Sequence, residues 1–227
     1  MSGLTPFMSA MGAVIWKDLR AEWRSREVIS AMMVFALLVI LIFNFALDLQ
    51  PNVRAGISSG VLWVTLAFAG TLGLNRSMAV EKDRGCLDGL LLAPVDRAAI
   101  YLGKAFANLL FMLLVAFIVL PVYGILYNTN MIIPGLLLVI LLGSEGYVAV
   151  GTLLASMAVQ ARTRDILLPI LLFPVAVPVV VSAVKATGGY LAGLGWEEIQ
   201  PWFTLLVVYD VIFTSVAFMV FDSVVEE

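Results

Sequence analysis

The sequence predicts an all-α integral membrane protein of six transmembrane helices, with both termini on the cytoplasmic side. Three observations predict it. Of 227 residues, 62% are apolar and only 13% charged, against roughly 45–50% and ~25% in a soluble domain; the mean hydropathy is +1.05. Six apolar runs are each long enough to cross about 30 Å of hydrocarbon. Lysine and arginine gather on one side of the loops between those runs. The composition excludes an ordinary soluble globule, a disordered chain and a nucleic-acid binder with an exposed basic face. Six spans leave little for a soluble domain, so residues 1–227 are expected to form one transmembrane domain.

The first element precedes the spans. Thr5-Pro6 suits a helix start, with proline at the first helical position. Over 5–27, Phe7, Met11, Ile15, Leu19 and Trp23 recur every four residues, and Lys17, Arg20 and Arg24 lie off that stripe. This pattern predicts an amphipathic helix in the cytoplasmic headgroup layer; a simple basic topology anchor is the alternative. Residues 1–15 lack a basic segment ahead of an apolar run, so no cleaved signal peptide is expected.

The spans follow. The first covers 28–47 and is closed by Asp48 and Pro51-Asn52; the second covers 55–74 and ends at Asn75-Arg76. The third covers 105–123. The fourth, 132–157, encloses Glu145; the fifth, 166–184, contains Pro169, Pro174 and Pro178; the sixth, 202–221, encloses Asp210. Lipid cannot satisfy bare backbone groups, so each is expected to be helical. Proline removes a backbone bond and kinks or loosens a helix, which serves a gate or fixed packing equally. With the N-terminus inside, the cytoplasmic side carries Lys17, Arg20, Arg24, Arg26, Arg76, Lys82, Arg84, Arg97, Lys104, Arg162 and Arg164, and the other side only Arg54 and Lys185. That asymmetry sets the topology.

Absences narrow the chemistry. There is no histidine, so His-based metal sites, His-dependent nucleophilic catalysis and His ligation of haem iron by this chain are excluded. The single cysteine, Cys86, forms no intrachain disulfide and is placed in the reducing cytoplasm. Gly103-Lys104 lacks the glycine spacing of a phosphate-binding loop and follows a helical segment, so no nucleotide site is assigned here. No catalytic or metal-binding residues are assigned.

Residues 75–104 form the cytoplasmic loop after the second span. Glu81, Lys82, Asp83 and Arg84 cluster, Gly85 follows, and Leu87, Leu90, Leu91 and Leu92 come before Pro94. Asp96 suits an N-cap for the helix entering the third span. A short helix over 79–93, charged at one end and apolar at the other, needs a partner groove to fill.

The run Glu-Lys-Asp-Arg-Gly-Cys-Leu-Asp-Gly-Leu-Leu-Leu-Ala-Pro-Val-Asp-Arg, followed by Tyr-Leu-Gly-Lys, resembles the coupling-helix region of ABC-2-type (type V exporter-like) transporter permeases. More narrowly, Lys17-Asp18-Leu19-Arg20-Ala21-Glu22-Trp23-Arg24-Ser25-Arg26-Glu27 and the close from Asp210 to Phe221-Asp222 and Glu226-Glu227 are similar to the haem exporter permeases of cytochrome c maturation, the CcmB family. Some members carry a more acidic string before the glycine. The resemblance implies a half-transporter acting as a homodimer. It implies that Glu81, Lys82, Asp83, Arg84, Gly85, Leu87, Leu90 and Leu91 meet a separate cytoplasmic ABC ATPase (CcmA-like), which holds the ATP. It further implies a haem-handling membrane protein (CcmC-like), a small membrane subunit (CcmD-like) and a periplasmic haem chaperone (CcmE-like). Haem is the implied substrate, no cofactor is assigned to this chain, and the location is the bacterial inner membrane.

Glu145 and Asp210 fall near the middle of their spans, where an acid costs roughly 2.5–3.5 kcal/mol on insertion scales and should face protein or water. Each is read either as a structural hydrogen-bonding group or as a polar element of a conduit or subunit interface. Gly143, Ser144, Gly146 and Gly151 permit close helix approach, as would Gly56 and Gly60. Residues 185–201, with Gly188-Gly189, Gly193, Gly195 and Trp196, are expected to form an outer loop with an interfacial aromatic belt or a lid. The competing readings are an ABC-2 exporter of another lipid, drug or glycan, a non-conducting scaffold that relays ATPase motion, and an intramembrane enzyme using Glu145 and Asp210 as a dyad.

Overall fold

A computed structural model describes residues 4–46, 51–83, 85, 89, 94–159, 161 and 163–225, and the side chains of all these except 4, 51–56 and 222–225. The long elements are α1 (Leu4–Ser25), α2 (Glu27–Ala46), α3 (Pro51–Asp83), α4 (Arg97–Tyr127), α5 (Pro134–Ala158), α6 (Arg164–Leu191) and α7 (Trp196–Val225). Among the described residues there is no strand, and six helices, α2 to α7, are long and apolar enough to cross a membrane.

Four of the expected spans lie inside these helices; the first, 28–47, reaches one residue beyond α2 to a position outside the described residues, and the fourth, 132–157, starts two residues before α5, which opens at Pro134. Most of the helices run further than the apolar runs. α3 has 33 residues, about 50 Å at 1.5 Å per residue, against some 30 Å of hydrocarbon. Its end therefore stands clear of the bilayer. The expected stop at Asn75-Arg76 is only where the apolar run ends, and the helix continues to Asp83. Residues 79–83 thus belong to α3 and not to a separate coupling helix; Arg84, Cys86, Leu87, Leu90, Leu91 and Leu92 lie outside the described residues. α4 likewise begins at Arg97, with Asp96 as its N-cap: the carboxylate accepts from the Ala98 amide at 2.9 Å.

At the other face, the loop expected over 185–201 is largely helix. Gly188 and Gly189 sit inside α6 because Ser59 and Ile199 press against them. The connection to α7 is the short turn through Gly193, whose φ of +69° suits glycine. α6 runs unbroken through Pro169, Pro174 and Pro178.

α3 and α5 form the interior, while α2 and α7 keep most of their surface outward. Close packing uses glycines where aromatic rings need room: Trp63 lies against Gly143, and Tyr147 against Gly70. Gly60, by contrast, faces open space within the chain, so the expected contact at that glycine is not made there. Polar staples tie the spans together. Trp63 Nε1 donates to Thr187 Oγ1 at 2.9 Å, Tyr101 OH to the Ala149 carbonyl at 3.0 Å, and Tyr147 OH pairs with Thr71 Oγ1 at 2.6 Å.

Candidate functional site: charges at the helix ends and within the spans

The overhanging end of α3 meets the first turns of α4 and the middle of α1. Lys104 is only 2% exposed. Its Nζ lies 2.6 Å from Glu81 Oε2 and 3.4 Å from Asp18 Oδ2. Lys17 closes the cluster, with Nζ 3.0 Å from Asp18 Oδ1 and in an ion pair with the other oxygen of Glu81. Two ammonium groups and two carboxylates from three helices therefore neutralise one another. A buried charge stripped of its partner is costly, so every member is needed. Burial pulls the Lys17 pKa down, but Asp18 and Glu81 outweigh it and hold the ammonium above its ordinary value. The approach is possible because position 103 is glycine: a Cβ there would lie 2.8 Å from that of Val14 and 3.1 Å from the Met11 carbonyl.

A second, exposed set of bonds surrounds this cluster. Arg164, at the start of α6, grips Asp83 with both terminal nitrogens at 3.1 Å. Asn75 donates to Asp165 at 2.8 Å, and Arg76 lies 3.5 Å from Glu27. The residues that the charge count assigns to the cytoplasm thus meet at one end of the bundle.

α1 departs from its expected face. Val14, Asp18 and Glu22, spaced by four, are buried, whereas Phe7, Met11, Ile15 and Leu19 are half-buried. Trp23 is 83% exposed and Trp16 65% exposed, on the outward side with Arg20 and Arg24. Lys17 turns inward instead of remaining with them. Glu22 accepts from the amides of Val28 and Ile29 at 3.2 and 2.8 Å, capping α2.

Of the expected loop contacts, Glu81 is buried in the cluster and Asp83 is held by Arg164. Lys82 and Gly85 are exposed, and the Gly85 amide donates to the Lys82 carbonyl at 3.0 Å with φ +65°. Arg84, Leu87, Leu90 and Leu91 are not described. Asp18, Glu22 and Lys104 belong to the motifs that carry the resemblance, but the sequence assigns them no contact. The only local signal was the i, i+4 spacing of Val14, Asp18 and Glu22.

Within the spans, Glu145 of α5 and Asp210 of α7 come together. Thr214 Oγ1 donates to Glu145 at 2.8 Å. Asp210 faces the Glu145 carboxyl and packs on Gly146, and no other described group donates to it. Glu145 also lines a cleft with Tyr101, Phe106 and Thr214. The pair can exchange a hydrogen bond across the helix interface.

Comparison with known proteins places these features in a family. The family model described as CcmB protein matches residues 9–226. Heme exporter protein B of Rhodobacter capsulatus is 28% identical over 190 residues, covering 82% of this chain and 86% of that protein. Heme exporter protein B of Bradyrhizobium diazoefficiens is 26% identical over 187 residues, covering 82% and 84%. That of Pseudomonas aeruginosa is 25% identical over 202 residues, covering 88% and 91%. A match spanning both the interfacial helix and all six spans means that the chain belongs to the CcmB protein family.

Proposed function

We propose that this chain is the multi-pass permease subunit of a bacterial inner-membrane haem export system serving cytochrome c maturation. The family match across residues 9–226 carries the reading. The chain is a transporter component and not itself an enzyme; a separate cytoplasmic ABC ATPase (CcmA-like) binds and hydrolyses the ATP. Haem is the substrate, and no resident cofactor is assigned to this chain.

The geometry supports a route for the motor's work. α3 and α4 both extend past the membrane and bracket residues 84–96, so a force on that segment acts directly on two spans. Asp83 passes it to α6 through Arg164. A homodimer would present two such segments to two ATPase subunits. Exposed Lys82 and Gly85, with Arg84, Leu87, Leu90 and Leu91, would form the contact surface. A haem-handling membrane protein (CcmC-like), a small membrane subunit (CcmD-like) and a periplasmic haem chaperone (CcmE-like) would complete the complex.

A second reading follows from the packed interior. Trp63, Tyr123 and Tyr147 are fully buried and fill the space between the spans of one copy. Haem conducted by this chain would therefore pass between two copies, and a subunit that relays ATPase motion to release the haem-loaded chaperone without conducting haem is the second reading. Deletion of the gene tests the function: covalent haem on c-type cytochromes should fall, with the chaperone unloaded if this chain exports haem and haem retained on the chaperone if it acts as a relay. Unchanged cytochromes would overturn it. Reconstituted vesicles separate the two readings, since a relay hydrolyses ATP and moves no haem.

A further inference from the structure

We infer that Glu81 is a positioning residue that straps the interfacial helix α1 to both arms of the coupling segment, so that α1 moves when the ATPase moves that segment. The inference rests on the reading of residues 79–93 as the segment an ATPase engages. Four observations carry it.

Glu81 is 8% exposed and turned away from solvent, so it is poorly placed to touch a soluble partner. One of its oxygens holds Lys104 of α4 and the other holds Lys17 of α1. It stands two residues before the end of α3, so displacement of the segment reaches it within one helical turn. α1 itself rests on α4 at Gly103, where the Val14 side chain and the Met11 carbonyl pack against the glycine.

α1 and α2 are separated by one non-helical residue, Arg26. Arg26 adopts φ +56°, a strained conformation for a residue with a side chain. A cavity between α1, α2 and α3, lined by Ala21, Glu22, Ser25, Val28, Ser77 and Val80, leaves room for rotation about that point. A buried ionic cluster seldom adds stability over an apolar one, and its best-attested use is to fix register. Here the register fixed is that of α1 against α3 and α4. The outward face of α1, with Trp16, Arg20, Trp23 and Arg24, would carry the motion to the membrane surface.

The test is hydrogen–deuterium exchange on the complex with its ATPase in lipid nanodiscs, with and without ATP. In the wild type, ATP should change exchange in both 75–83 and 4–25. In Lys17→Met with Asp18→Asn, the change should persist in 75–83 and vanish in 4–25. ATPase binding should stay intact and haem delivery should fall by roughly 5–150-fold, the span of typical coupling energies. Lys17→Arg should restore the wild-type pattern. If the double variant does not assemble, Lys17→Met alone should weaken the change in 4–25 without abolishing it, because Lys104 still holds both Asp18 and Glu81; an undiminished change in 4–25 would overturn the inference. A response of α1 that survives loss of the strap overturns the inference, as does a wild-type α1 that stays silent while 75–83 responds. Loss of ATPase binding in Glu81→Gln that retains the wild-type melting temperature would make Glu81 a contact residue and also overturn it. Failure of the wild-type chain to bind an ATPase, or silence in 75–83 with the ATPase bound, sinks the coupling reading first.

Discussion

Arg164 holds Asp83 through two parallel bonds of 3.1 Å, joining the end of α3 to the start of α6. The pair is solvent-exposed, and exposed pairs contribute little to stability. Its value lies in the connection. Asp83→Ala should leave the melting temperature within experimental scatter yet lower haem attachment to c-type cytochromes severalfold. Combining Asp83→Arg with Arg164→Asp should recover much of that loss. A single variant with full cytochrome c maturation would remove the pair from the transmission path.

Lys104 behaves oppositely because it is buried. Lys104→Met leaves Asp18 and Glu81 facing each other with only Lys17 between them. Breaking a buried ion pair costs about 3–5 kcal/mol, whereas replacing both partners with apolar groups is often neutral. Lys104→Met should therefore melt well below wild type, and Lys104→Met with Glu81→Leu should melt closer to it. Thermal unfolding of the purified protein in detergent checks the order; equal melting of the single and double variants would contradict it.

Gly103→Ala tests the seat of α1. The new methyl would press on Val14 Cβ at 2.8 Å and Cγ1 at 2.9 Å. Overpacking of this kind costs about 1–3 kcal/mol. Val14→Ala removes only the Cγ1 contact, so relief should be partial. Limited proteolysis of α1 reads the outcome: cleavage should rise with Gly103→Ala and fall partway back in Gly103→Ala with Val14→Ala.

Tyr147→Phe deletes one hydroxyl that bonds Thr71 and the Ala67 carbonyl. Inter-helix hydrogen bonds in membranes average about 0.6 kcal/mol and reach ~1.7 kcal/mol. The two hydroxyls carry two protons for three contacts, so with Thr71 still donating to the Ala67 carbonyl the net loss is one bond, about 0.6 kcal/mol. Steric-trap or denaturant unfolding should detect it; no measurable loss would mean that water or another group replaces the hydroxyl.

Much of this architecture is legible in the chain because apolar runs bounded by charge report the spans directly. What stays hidden has two physical causes. Helix ends beyond the lipid carry polar residues, so 75–83 looks like loop although its hydrogen bonding continues that of α3. Contacts between distant charges leave no local trace. Asp18 and Glu22 look like a solvated face until Lys104 of α4 and the α2 amides arrive to pair with them. Glu145 is visible as an anomaly in its span, but its meeting with Asp210 depends on how α5 packs on α7. The glycines at 188 and 189 suggest a turn, yet they serve packing against Ser59 and Ile199.

That acid pair separates function from packing. An ionisable residue within a span is a functional candidate by default, and here no described lysine or arginine neutralises either acid. Asp210→Asn supplies an amide that can donate to Glu145 while keeping the shape that packs on Gly146. The variant should therefore assemble and melt as the wild type does. If the carboxyl acts in the transport cycle, covalent haem on c-type cytochromes should still fall severalfold. Glu145→Gln should do the same, while Thr214→Val, which removes only a donor to Glu145, should have a smaller effect. Full maturation in Glu145→Gln with Asp210→Asn would reduce the pair to a structural bond and, with it, remove any intramembrane dyad chemistry.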